Sequence, residues 1–218
     1  TGDPDHFDRV AEAHERMEEI VGDVLALARA GSDLGDTEAI SLEAVASDAW
    51  ANVETRGATL DVADDATVEA DRTTLLQLFE NLFRNSIEHG STEEDALSVR
   101  VGVLREEGNS DDVVTGFFVE DDGPGIPEAE RERVFDSGVS GAADGTGFGL
   151  AIVRSIAEAH GWTVEATAAS GRTGARFAFE FGSPVDVGDD PVGGRSESAS
   201  ATSTSTTSPP SRVDDQSM

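Results

Sequence analysis

Between positions 5 and 29 the apolar residues Phe7, Val10, Met17, Val21, Val24 and Ala28 recur at alternating steps of three and four, with His14 filling the remaining step. This heptad seam is narrow, as in coiled coils, and predicts one long helix capped by Asp5 and stopped near Gly31. A lone helix cannot bury such a stripe, so the seam must pack on a partner helix, most simply on another copy.

From Ser32 to about Gly182 the period changes. Ser41 can cap a helix carrying Leu42, Val45, Ala49 and Val53; two short strands follow, Thr59 to Val62 and Thr67 to Ala70, joined by the turn-forming Asp64 and Asp65. Asp71 caps a longer helix whose apolar face is Leu75, Leu78, Phe79, Leu82, Phe83 and Ile87. Ala96 to Leu104 and Val113 to Val119 read as paired strands around a polar turn. A further helix runs from about Gly149 to His160, and strands Thr163 to Ala168 and Ala175 to Phe181 complete the region. Helices first and antiparallel strands later predict an α+β fold, a two-layer α/β sandwich preceded by one long bundle helix. Beyond Gly182 the chain turns to Ser, Thr, Pro, Gly and Asp, with no apolar face to offset ordering, so residues 183–218 read as a disordered tail.

Composition narrows the function. A chain of 218 residues with 37% hydrophobic content supports one medium domain plus appendages. The net charge of −30, from 45 acidic against 15 basic residues, argues against non-specific nucleic-acid binding, which needs a basic face. All of the basic residues are Arg and the acids are spread along the whole chain, a halophilic composition suited to a salt-rich cytoplasm. The absence of Cys excludes disulfides and thiolate metal sites, and the four His are not spaced as a zinc cluster. No run of about 18 apolar residues occurs and the first residues are no signal peptide, which predicts a cytoplasmic location, with any membrane attachment supplied by upstream segments.

Three short elements carry candidate chemistry. Asn81 and Asn85 stand four apart on the helix after Asp71, so both carboxamides share one face, flanked by Arg84, Glu88 and His89. A carboxamide oxygen on a rigid helix suits Mg²⁺, which takes oxygen ligands and bridges phosphates; taken alone, the pair better suits a capping or exposed role. The strand end Glu120-Asp121-Asp122-Gly123-Pro124-Gly125-Ile126 puts a carboxylate beside two glycines, where it can accept the amino hydrogens of adenine; alone it is an ordinary Gly-Pro turn. Gly145-Thr146-Gly147-Phe148-Gly149-Leu150 opens a helix, and such an N-terminus presents free N–H groups and a positive dipole end to a phosphate.

In this order, with Arg133-Val134-Phe135 and the stretch Asp136 to Asp144 between the second and third elements, the chain resembles the ATP-binding catalytic domain of sensor histidine kinases, with its N, G1, F and G2 boxes. That family falls in the superfamily shared with gyrase, chaperone and mismatch-repair ATPases. The resemblance implies a Bergerat-type fold, a mixed and mostly antiparallel sheet covered by helices, using ATP with Mg²⁺. It implies Asn85 as the Mg²⁺ ligand with Asn81 near metal and phosphates, Asp121 as the adenine reader, Gly123 and Gly125 as close-approach glycines, and Ile126 as an apolar wall. Arg84, His89, Thr146, Phe148, Leu150 and Thr173 join the ATP site, Gly145, Gly147 and Gly149 bind phosphate, and Phe135 is a lid anchor or simple core.

Residues 5–29 resemble the second helix of the dimerisation and phosphotransfer hairpin. The domains are then 1–31 as the remnant of that hairpin, 32–182 as the ATP-binding domain and 183–218 as the tail. The phospho-accepting His of the family sits on the first helix of the hairpin; neither His6 nor His14 is followed by the family's acidic residue together with its Arg-x-Pro signature, and both read as structural or exposed. The resemblance further implies a homodimer through the bundle and a response-regulator receiver domain as partner.

Two departures stand out: His89 replaces a frequent aromatic, and Asp136 to Asp144 has no basic residue to meet the terminal phosphate. Related ATPases place a catalytic Glu where this chain has Asn81, and Glu80 is rotated by about 100° around the helix, which favours phosphoryl transfer over hydrolysis. The competing readings are an idle nucleotide-binding assembly module and an anti-sigma-type Ser kinase.

Overall fold

The computed structural model describes residues 34–90, 96–106, 113–138, 147–171 and 173–182, together with His14, Met17, Val21, Gly22 and Leu25. These last five are helical and exposed. The other seam positions, Gly145, Thr146 and the expected tail lie outside the described residues.

The elements run β1 (Glu38–Ser41), α1 (Leu42–Asn52), β2 (Thr59–Val62), β3 (Thr67–Ala70), α2 (Arg72–Gly90), β4 (Ser98–Arg105), β5 (Val114–Asp121), a 3₁₀ turn (Glu128–Glu130), α3 (Gly149–Ala159), β6 (Trp162–Ala168) and β7 (Ala175–Phe181). Five strands form one sheet in the order β2-β4-β5-β7-β6, parallel only at β2–β4 and antiparallel elsewhere. The fold is the expected two-layer sandwich, with one departure. β2 and β3 do not pair with each other: β2 runs alongside β4, with Leu60 opposite Val99, whereas β3 pairs with β1, with Val68 opposite Ile40. The reason is visible at Asp65, whose carboxylate accepts the Glu43 N–H at 3.0 Å and the Ser41 hydroxyl at 3.0 Å. It caps α1 rather than closing a hairpin, while Ser41 accepts from Ala44 N–H at 3.1 Å.

Strand alternation sorts the sheet into two faces. On β5, Phe117, Val119 and Asp121 point under the helices, while Phe118 and Glu120 point outward. Phe117 stacks on Phe179 at 4.6 Å and meets Phe79 of α2 at 5.6 Å; Trp50 of α1 meets Phe83 edge-on at 5.1 Å. These rings are the centre of a core that packs α2 on β5, and Ser86 of α2 reaches Asp121 at the end of that strand.

The start of α2 is held from two sides. Asp71 Oδ1 accepts Thr73 and Thr74 N–H at 2.8 and 3.0 Å, which holds its carboxyl below the ordinary carboxylate range. Its own N–H donates at 3.1 Å to His160 Nε2, at the end of α3, while His160 Nδ1 lies 2.8 Å from the Ile156 carbonyl. The His160 ring stacks on Trp162 at 4.4 Å, so α2, α3 and β6 are fixed relative to one another.

Candidate nucleotide site

A cavity of about 370 Å³ opens where the second half of α2, the end of β5 and the start of α3 converge. Its floor is Asp121, 7% exposed at the last position of β5. Oδ1 accepts N–H bonds from Gly123 at 3.0 Å and Ala175 at 3.1 Å, and Oδ2 accepts the Ser86 hydroxyl at 3.2 Å. Burial nevertheless pushes this carboxyl up from its ordinary value; the three donors oppose that push, and the neighbouring Asp122 charge adds to it. A carboxylate held this way keeps acceptor capacity toward the cavity.

Asn85 and His89 line the wall supplied by α2, Ile126 and Leu150 line apolar walls, and Gly125 contributes backbone. The sequence signals missed Gly90, Pro124, Pro127, Glu130, Val134 and Ala175, which also line it. Pro124 and Pro127 stood in view beside the glycines and Val134 beside Phe135, but Glu130 belongs to no local pattern and is brought in by the 3₁₀ turn after Pro127.

The glycines work on protein backbone. A Cβ on Gly123 would lie 2.6 Å from the Cα of Gly90, and one on Gly125, at φ +77°, would lie 2.7 Å from the carbonyl oxygen of Gly174. They let the loop after β5 lie against the end of α2 and the start of β7, which is how the Ala175 N–H reaches Asp121.

Other expected site residues lie apart from the cavity. Asn81 is buried, donates its amide N–H to the Gln77 carbonyl at 2.8 Å, and sets Oδ1 beside Gly149, which opens α3. Arg84 and Thr173 are exposed, and Gly123, Gly147 and Phe148 are not part of the wall. Phe135 is 5% exposed and meets Phe177 edge-on at 6.1 Å, so it packs in the core. Among the described residues no side-chain hydrogen bond caps the α3 N-terminus beside Leu150, and Gly138 N–H donates to the Gly147 carbonyl at 3.0 Å just before it. The positive dipole end of α3 thus lies near the cavity, which Leu150 lines. Glu80, the nearest carboxylate to Asn81 in sequence, instead accepts from Asn52 of α1 at 2.7 Å. Among the described residues no cluster of three or more His, Cys, Asp or Glu is poised to hold a metal.

The family described as histidine kinase-, DNA gyrase B- and HSP90-like ATPases matches residues 70–184, from the cap of α2 through β7. The chain belongs to this family. Within it the ATP-binding domain is of the histidine-kinase kind. The sensor histidine kinase ZraS of Klebsiella oxytoca is 32% identical over 176 residues, which cover 78% of this chain and 36% of ZraS. The structure of full-length ShkA in complex with AMPPNP superposes with a TM-score of 0.63 at 26% identity, covering 81% of this chain and 38% of that one. The catalytic domain of histidine kinase ThkA gives 0.51 at 26% identity and is covered over 95% of its length. The chain thus spans well under half the length of ZraS. Its ATP-binding domain has the Bergerat fold of these kinases, and no described helix is long and apolar enough to cross a membrane.

Proposed function

We infer that this chain is the catalytic portion of a two-component sensor histidine kinase, which binds Mg·ATP and hands the γ-phosphate to a His on a dimerisation helix other than 5–29, for relay to an Asp of a response regulator. The observation that supports it most is Asp121: a buried carboxylate held, among the described residues, by neutral donors, open to a purine-sized cavity, with the Asn85 carboxamide on the adjacent wall. The adenine amino group donates to Asp121, the base lies between Ile126 and Leu150, and the phosphates extend toward the α3 N-terminus. Asn85 is the residue that would hold Mg²⁺, through its carboxamide oxygen, and the ion would supply charge neutralisation at the phosphates. Phosphoryl transfer chiefly demands positioning, and the diversion of Glu80 to Asn52 supports transfer over hydrolysis. The excess of carboxylates fits work at high salt, where screening eases the approach of a polyphosphate.

The exposed residues Met17, Val21 and Leu25, at 61%, 55% and 49%, support a bundle partner for 1–31, here another copy. His14 is exposed, but its flanks do not match an acceptor. With γ-³²P-ATP and Mg²⁺, the chain alone is expected to bind nucleotide without labelling itself, and to label a hairpin bearing an acceptor His supplied in trans. Acid-labile label on His6 or His14 would overturn the placement of the acceptor, and absence of Mg-dependent ATP binding would favour an assembly module.

A further inference from the structure

Ser86 follows Asn85 on α2, is 2% exposed, and does not line the cavity. A serine inside a helix commonly returns its hydroxyl to a carbonyl one turn back. Here Oγ donates to Asp121 Oδ2 at 3.2 Å, while Oδ1 accepts the two N–H bonds from Gly123 and Ala175. Donors from α2, from the loop after β5 and from β7 therefore converge on one carboxylate, and each requires it to accept. An ionised carboxylate only accepts; a protonated one also donates.

Burial and the Asp122 charge act the other way, favouring the protonated form. His89 on α2 and Glu130 on the 3₁₀ turn share the cavity wall, while Glu120 and Arg176, on the adjacent strands, bond to each other on the opposite face of the sheet. Of the donors that hold Asp121, Ser86 is the one whose removal leaves the backbone path unchanged.

We propose that Ser86 is a positioning residue that keeps Asp121 a pure hydrogen-bond acceptor toward the cavity, and so makes the site select a 6-amino purine over a 6-oxo purine. This rests on the nucleotide-binding reading above. An amino group offers N–H to the carboxylate, whereas a 6-oxo group offers a lone pair, which an ionised Asp121 repels and a protonated one satisfies.

The test is Ser86→Ala, close in volume and favourable to helix. In the nucleotide-free protein, the Asp121 carboxyl carbon followed by NMR is expected to titrate at higher pH than in the wild type. At neutral pH the ratio of ATP to ITP affinity, by calorimetry, is expected to narrow by roughly five- to tenfold, the worth of one ordinary hydrogen bond. ATP binding by the variant is expected to fail at a higher pH. Ser86→Cys, a weaker donor, is expected to move both readouts in the same direction by less, and serves alone if the alanine variant does not fold. Superimposable Asp121 titrations, or an equal loss of ATP and ITP affinity at every pH, would overturn the inference. A wild type that binds neither nucleotide overturns the nucleotide reading instead, and the Asp121 titration still tests the hold of Ser86 on the carboxylate.

Discussion

Glu120 and Asp121 are consecutive and almost equally buried, at 8% and 7% exposure, yet they face opposite sides of β5 and are treated in opposite ways. Glu120 lies in a cross-strand row between Arg100 and Arg176: Arg176 Nη1 stands 2.9 Å from Oε2, Arg100 Nη1 3.7 Å from Oε1, and Ser170 N–H donates at 3.3 Å. The Arg176 guanidinium also rests 3.6 Å over the Phe118 ring, which itself lies across Gly102. Asp121 is held by a hydroxyl and two backbone N–H groups. Cations cancel the charge of Glu120 and occupy its oxygens, whereas dipoles steady Asp121 without cancelling its charge. A charge buried without a cation is costly to the fold, and such a cost commonly marks a working site.

The strongest way to break that contrast is Asp121→Asn. Its oxygen still accepts from Gly123 and Ala175, but its NH₂ meets the adenine amino group donor to donor. ATP affinity is expected to fall about 100-fold by calorimetry, while the unfolding curve barely moves. An unfolded variant would place Asp121 with Glu120 as a structural carboxylate.

Arg176→Met asks the reverse question. Leaving Glu120 short of its nearest cation is expected to lower stability by about 2–3 kcal/mol in denaturant unfolding, with ATP affinity kept within about twofold. A matching loss of affinity would show that the two faces are coupled.

Acidity separates the carboxylates further. Because burial raises the folded-state pKa of Asp121 above its unfolded value, its ionised form costs stability at neutral pH, and that cost is relieved as pH falls through the raised pKa. Binding moves the other way: ATP affinity is expected to drop several-fold as pH falls through that same window, above the ordinary carboxylate range. Asp71 has the opposite sign. Its lowered pKa, owed first to the Thr74 N–H, contributes stability present above the unfolded pKa and lost only as pH falls through the folded one. An affinity that is flat until the ordinary Asp range would contradict the role given to Asp121.

The smallest effect belongs to Arg100→Gln. Arg100 and its partner Asp61 are 49% and 66% exposed and 3.6 Å apart, so the change is expected to cost no more than about 1 kcal/mol, and less as salt rises. A loss as large as that of Arg176→Met would make the outer row one cooperative unit.

Much of this was legible along the chain because it depends on local periods. Alternation gave the faces of β4, β5 and β7, the 3.6-residue period gave the buried stripe of α2, and Ser41 and Asp71 stood at the caps that they form. The positions of Asn85 on α2 and of Asp121 at the end of β5 were readable because they follow from the helix and strand periods around them. β1 was not, since four residues with one buried position hold no period of their own and exist as a strand only against β3. The pairing of β2 with β4 was hidden for the same reason: Asp64 and Asp65 read as a turn, while the use of Asp65 as a cap depends on a helix that starts more than twenty residues earlier.

The chain by itself determined which carboxylate and which carboxamide stand at the end of β5 and on one face of α2, because period and spacing are properties of neighbours in sequence. Tertiary structure decided what each then does. It turned Asn81 to the Gln77 carbonyl and Glu80 to Asn52, brought Glu130 and Ala175 to the cavity, and set Ser86 against Asp121. Those outcomes depend on hydrogen bonds between segments far apart in sequence. The buried carboxylate, first visible as an acidic residue beside two glycines, came to line the cavity when α2 and β7 closed around it and supplied the hydroxyl and an N–H that hold it.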